Sequence, residues 1–98
     1  MPTTDRLIPR IKLLFEEKTG WGDSVDWRNQ DFLLLSTMIR QQTGNAVSYV
    51  TLKRIWGKVK YDNLPSSYTL NALAQFVGYR SWREFSARNE AMDSKNLR

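Results

Sequence analysis

The side chains here that could carry chemistry at neutral pH are carboxylates, amines, guanidiniums and hydroxyls, because the 98 residues include no cysteine and no histidine. That absence excludes disulfides, Cys/His zinc sites, thiol nucleophiles and imidazole acid–base catalysis together. No carboxylate pair is placed by its spacing for acid–base work. Glu16 and Glu17 read as solvated charges, and no glycine-rich phosphate loop occurs. The chain is therefore not expected to be an enzyme, and no catalytic residue, metal site, cofactor or small-molecule substrate is expected.

What remains is electrostatic. The chain carries 15 Lys/Arg against 10 Asp/Glu, a net charge of +5. The excess is local: between Asp31 and Asp62 there is no acidic residue, and the cations there are Arg40, Lys53, Arg54, Lys58 and Lys60. Four of these five fall within residues 48–61, SYVTLKRIWGKVKY. A field of this kind attracts a polyanion or an acidic partner. The alternative is a solvated basic face with no partner.

The elements that must hold these charges read as helices. Leu7, Ile8, Ile11, Leu14 and Phe15 fall at helical spacing, predicting a first helix over 7–18 that stops near Gly20, with Pro9 in its first turn or bending it. WGDSVDWRNQ reads as a loop pinned to the core by Trp21 and Trp27. Asn29 is the expected cap of a second helix, with Phe32, Leu35, Met38, Ile39 and Gln42 along one side and Gly44 at its end. Leu33 and Leu34 lie off that side and are expected to meet another element or a partner chain. Ser48 caps a third helix of about nine residues, with Leu52, Ile55 and Trp56 turned inward and Gly57 closing it. Ser66 caps a fourth, with Leu70, Leu73, Ala74 and Val77 at core spacing and Gly78 as its stop. Ser81 and Glu84 form a capping box for a fifth, whose Trp82 and Phe85 face the core.

Residues 89–98 have few apolar side chains and are expected to fray or to be the cut end of a longer protein. No strand alternation and no internal repeat appear. The expected fold is all-α: a compact bundle of about five short helices in one domain over 1–98, with a helix-turn-helix core at about 29–88. The longest apolar run, FLLL, is far too short to span a membrane, and the first residues lack a secretion signal, so a cytoplasmic chain without membrane contact is expected.

Two short helices joined by a small turn, the second bearing outward cations and hydroxyls, have the general geometry of a helix-turn-helix. The outward side of the third helix holds Tyr49, Val50, Lys53 and Arg54. Arg and Lys can donate to guanine, and Ser or Thr can serve either base. A capped N-terminus turns backbone amides toward phosphate, and Arg40, Lys58 and Lys60 are the candidates for neutralising further phosphates.

Residues 47–85 resemble the phage-repressor/Cro-like (XRE-type) helix-turn-helix family. VSYVTLKRI follows the order of that family's recognition helix, with Thr51, Leu52, Arg54 and Ile55 in the corresponding places. PSSYTLNALAQFVGYRSWREF is similar to its following helices. TLKRIWGKVKY followed by TLNALAQFVGY is also similar to a small uncharacterised bacterial N-terminal module of helix-turn-helix type. The resemblance implies a lambda-repressor-like fold and the DNA-binding module of a bacterial transcription regulator. It further implies that the helix at about 48–56 enters the major groove of double-stranded DNA, with contacts at Ser48, Tyr49, Val50, Thr51, Lys53 and Arg54. Three departures stand out. Arg40 replaces a small residue and Thr43 an aliphatic one, and the turn GNAVS is two residues longer than the common GVS, which leaves the tilt of the third helix open.

Other roles stay open at this point. Ser48 either caps alone or also contacts phosphate, Thr51 can bond back to its own helix, and Trp56 belongs to the core. The main rival is a protein-interaction module, a homodimer or a complex with another chain, docking through the Leu33/Leu34 region. RNA is a weaker candidate, because the aromatics lie at core spacing and not on a strand platform.

Overall fold

The computed structural model describes residues 3–57 and 65–96. Among them the chain forms five α-helices and no strand: α1 (Thr3–Thr19), α2 (Asn29–Thr43), α3 (Tyr49–Ile55), α4 (Ser67–Phe76) and α5 (Trp82–Asn96). A 3-10 turn at Ser24–Asp26 lies between α1 and α2. The all-α bundle expected from the spacing of apolar residues is the fold observed. A Cα radius of gyration of 13.2 Å is that of a compact chain of this length.

Local chemistry sets most helix ends. α3 and α4 begin with the same Ser-Xaa-Yaa-Thr pattern: Thr51 N donates to Ser48 Oγ and Thr69 N to Ser66 Oγ, each at 3.2 Å. These bonds satisfy amides that have no partner inside the helix. Gly44, with φ of 77°, adopts the left-handed conformation that an L side chain resists, and its N–H returns to Arg40 O at 2.9 Å to close α2. At α5, Glu84 N donates to Ser81 Oγ at 3.2 Å, while the Glu84 carboxylate accepts from Arg80 N at 2.7 Å.

The start of α2 differs from expectation. Asn29 is its first helical residue, and the terminus is held from inside: Arg28 N donates to Asp31 Oδ2 at 2.8 Å. A carboxylate in the first turn also complements the helix dipole, which is why Asp31 takes over the capping role expected of Asn29. α1 begins at Thr3, so Pro9 lies past its first turn. Much of the segment from 89, expected to fray or to be a cut end, is part of a helix. α5 runs to Asn96, and Asn89 is buried, accepting from Arg10 Nε at 3.0 Å and donating to Phe85 O at 2.8 Å. A buried amide satisfied on both sides carries α5 across α1, which the low apolar content of that segment did not suggest.

One core joins the helices. α4 is its centre, burying Thr69, Leu70, Ala72, Leu73, Ala74 and Phe76, and it packs against both α2 and α5. An aromatic cluster fills the other side. Phe15 of α1 stacks on Phe76 of α4 at 4.8 Å between ring centroids and meets Trp56 edge-on at 5.4 Å. Trp56 stacks in turn on Trp27 at 5.7 Å and meets Phe32 at 5.8 Å, while Trp21 closes on Trp27 at 5.4 Å. The two tryptophans of the 21–28 loop thus act structurally, as expected. Among the described residues the buried indole N–H groups of Trp27 and Trp56 have no acceptor, and the cluster they belong to is built of apolar and ring contacts.

That loop is also fastened by charge. Ser24 donates to the Glu16 carboxylate through both its amide, at 2.8 Å, and its hydroxyl, at 2.5 Å. Glu16 is therefore a half-buried anchor, not the solvated charge expected; Glu17 beside it is exposed. Glu16→Ala leaves the buried Ser24 without its acceptor and should cost about 1.5–3 kcal/mol in urea denaturation. Glu17→Ala should stay within about 0.5 kcal/mol of the parent.

Candidate nucleic-acid interface

α3 is seven residues long, two fewer than expected, and a helix this short does not hold its shape alone in water. It is seated by Leu52, Ile55 and the adjoining Trp56, at 0%, 7% and 7% exposure. Gly57, with φ of 76°, turns the chain away immediately after Trp56.

The other side of α3 presents the cationic face, and its members are not equally exposed. Val50 and Arg54 are exposed, whereas Tyr49 and Lys53 are half-buried. Tyr49 precedes Trp56 by seven residues, nearly two full turns, so it lies almost in line with the indole and packs at the edge of the core. Lys53 folds back toward it, with Nζ 5.7 Å from the Tyr49 ring centroid. This is cation–π distance, so the ring holds the ammonium beside Arg54 and Val50. Of the four residues expected to project together, Val50, at 38% exposure, and Arg54 are exposed, and the other two form a braced pair at the border.

Ser48 and Thr51 form a second pair. Their hydroxyls lie 3.0 Å apart, and Ser48 Oγ already accepts the Thr51 amide. Whichever hydroxyl donates to the other, one O–H hydrogen of the pair is left over for an outside acceptor. Thr51 therefore bonds to the cap and not back to its own helix.

The turn between α2 and α3 is bonded throughout. Thr43 Oγ1 accepts from Asn45 N at 3.1 Å, and Ser36 Oγ donates to Val47 O at 2.5 Å. α4 supplies the rest: Asn45 Nδ2 donates to Gln75 Oε1 at 2.8 Å, and Ala46 N donates to Tyr68 OH at 2.9 Å. Gln42 is exposed, not aligned with the core, and its amide donates to Phe76 O at 2.8 Å, satisfying a carbonyl left over at the end of α4. The long turn is thus a strap bonded to α4. Arg40 is exposed on the last turn of α2, so its bulk is accommodated in solvent.

Along the sequence, the charges of this region are of one sign. Arg40, Lys53 and Arg54 are the only charged residues in 32–57, and 65–79 has none. The structure brings Ser48, Tyr49, Val50, Thr51, Lys53 and Arg54 together on α3 and its cap, with Arg40 on α2 at the other end of the turn. Lys58 and Lys60 lie outside the described residues. Leu33 and Leu34 are 47% and 51% exposed, and no described element covers them. Among the described residues no group of acidic side chains could hold a metal ion, and no helix is long and apolar enough to cross a membrane.

Comparison with protein-family models, with curated proteins and with solved structures gives no match to this chain. The fold and the cationic face are accordingly read from the residues themselves.

Three substitutions test this placement of α3 through stability alone. Ser48→Ala should cost about 1 kcal/mol as a lost cap. Val50→Ala should remain within about 0.5 kcal/mol. Tyr49→Ala, which strips an aromatic ring from the core edge, should cost more than Val50→Ala in the same urea titration; equal costs would place both side chains in solvent.

Proposed function

We propose that this chain is a DNA-binding module, of the kind found in bacterial transcription regulators, that inserts α3 into the major groove of double-stranded DNA. One observation carries the reading: Lys53 and Arg54 stand side by side around exposed Val50 on a helix whose opposite side is seated in the core, with no acidic residue anywhere in 32–57. A helix so mounted can enter a groove without uncovering the core. Arg54 and Lys53 are suited to guanine edges, the Ser48/Thr51 hydroxyl pair to base or phosphate, and Arg40 to the backbone, with Lys58 and Lys60 added from their place in the sequence. The resemblance of 47–85 to the XRE-type helix-turn-helix family points the same way. Duplex DNA is favoured over unpaired RNA because Trp27 and Trp56 are buried and offer no platform on which splayed bases could stack.

The exposure of Leu33 and Leu34 favours a second reading, a surface for another copy of this chain or for a different protein. Consecutive helical residues point about 100° apart, so the two leucines face different directions and do not form one stripe. Leu34→Lys should leave the oligomeric state in sedimentation unchanged; dissociation of an assembly by that substitution would support the second reading.

The decisive experiment for the first is a random-duplex selection with the purified chain, read at two salt concentrations. An enriched motif is expected, with a log–log salt slope of about −3 to −4 per subunit if four cations each neutralise a phosphate. Lys53→Ala with Arg54→Ala should abolish the motif, and Lys60→Ala should weaken all sequences about equally. Binding that ignores salt, or a double variant that selects the parent motif, would overturn the proposal.

A further inference from the structure

The strap between α2 and α3 leads to a residue that neither charge nor helix spacing singled out. Tyr68 lies in the first turn of α4 and is 53% exposed, yet its hydroxyl is engaged: the oxygen accepts the Ala46 amide at 2.9 Å. A phenol is donor and acceptor at once, and this contact uses only the acceptor. Among the described residues the Tyr68 O–H donates to nothing, so its hydrogen is available at the surface. Ala46 stands two residues before Ser48, and two residues of extended chain span little more than 7 Å, which puts the phenol oxygen within about 10 Å of the Ser48 backbone. Neither the strap, α3 nor α4 carries an acidic residue that would repel an anion there.

We propose that Tyr68 is a phosphate-contacting residue of the DNA interface, whose hydroxyl braces the strap through Ala46 and donates its own hydrogen to a backbone phosphate beside α3. Tyrosine is among the side chains that contact phosphate oxygens in this way, and a bond to a charged acceptor is stronger than a neutral one. The two functions share one atom. A phosphate that accepts from the hydroxyl makes its oxygen a better acceptor for Ala46, so backbone contact and strap rigidity reinforce each other. This inference rests on the DNA reading above and extends it to a second helix.

The test uses the selected duplex with single methylphosphonate substitutions, each removing the charge from one phosphate. For the parent, at least one phosphate near the α3 site should cost about tenfold in affinity when neutralised. Tyr68→Phe should bind the intact duplex about tenfold more weakly, lose the penalty at that same phosphate and keep it elsewhere, and exchange its Ala46 amide faster. A penalty profile identical in parent and variant would overturn the inference while leaving the DNA reading intact. A parent that selects no duplex would remove both. A second measurement needs no variant: in the parent, the ring signals of Tyr68 should shift on addition of the duplex. Ring signals that stay in place while α3 amides shift would overturn the phosphate contact even if Tyr68→Phe folded poorly.

Discussion

Trp56 is the constraint on which the cationic face depends. Its indole contacts Phe15 of α1, Trp27 of the following loop and Phe32 of α2, with centroids 5.4, 5.7 and 5.8 Å away. Through Phe15 the same cluster reaches Phe76 of α4. A seven-residue helix is too short to be stable by itself, so α3 keeps its geometry because Trp56, the residue that follows its last turn, is embedded in rings from three other segments. Among the described residues the buried indole N–H groups of Trp27 and Trp56 find no acceptor; an N–H left unbonded costs about 1–3 kcal/mol, which ring contacts and apolar burial must exceed.

The opposite end of α3 is held by different chemistry. The strap before it is fixed by side-chain hydrogen bonds from α4, Gln75 to Asn45 and Tyr68 to Ala46, and by Ser36 of α2 at Val47. Apolar packing sets the depth at which α3 sits, and directional bonds set its angle to α2. On the outward side Tyr49 is half in the core and steadies Lys53. The inner side of α3 is seated in the core by Leu52, Ile55 and the adjoining Trp56, so a partner that meets the outer side leaves the core covered.

Much of this was legible because it is local. The Ser48 and Ser66 caps, the glycines closing α2, α3 and α4, and the inward set Leu52, Ile55 and Trp56 all depend on residues within one or two turns of each other. What escaped joins distant positions or competes with a local signal. Asp31 displaced Asn29 at the start of α2 because a carboxylate three residues on can close the terminus from inside. Asn89 and Arg10 meet across 79 residues and keep α5 helical where composition suggested fraying. The Glu16 anchor and the α4 contacts to the strap pair polar residues of different elements, and no periodicity marks such pairs in advance. Tyr49 looked outward by spacing, but its ring is large enough to reach back to the core edge.

On the proposed reading, an anionic duplex meets this chain at the outward side of α3, framed by the strap and Arg40. Amide NMR titration with the selected duplex at low salt tests it most directly. The largest shifts should fall in residues 45–57, with smaller ones near Arg40 and Tyr68, and they should fade as salt is raised. Shifts centred on α1 or α5, around Leu13 or Arg83, with α3 unmoved, would contradict it.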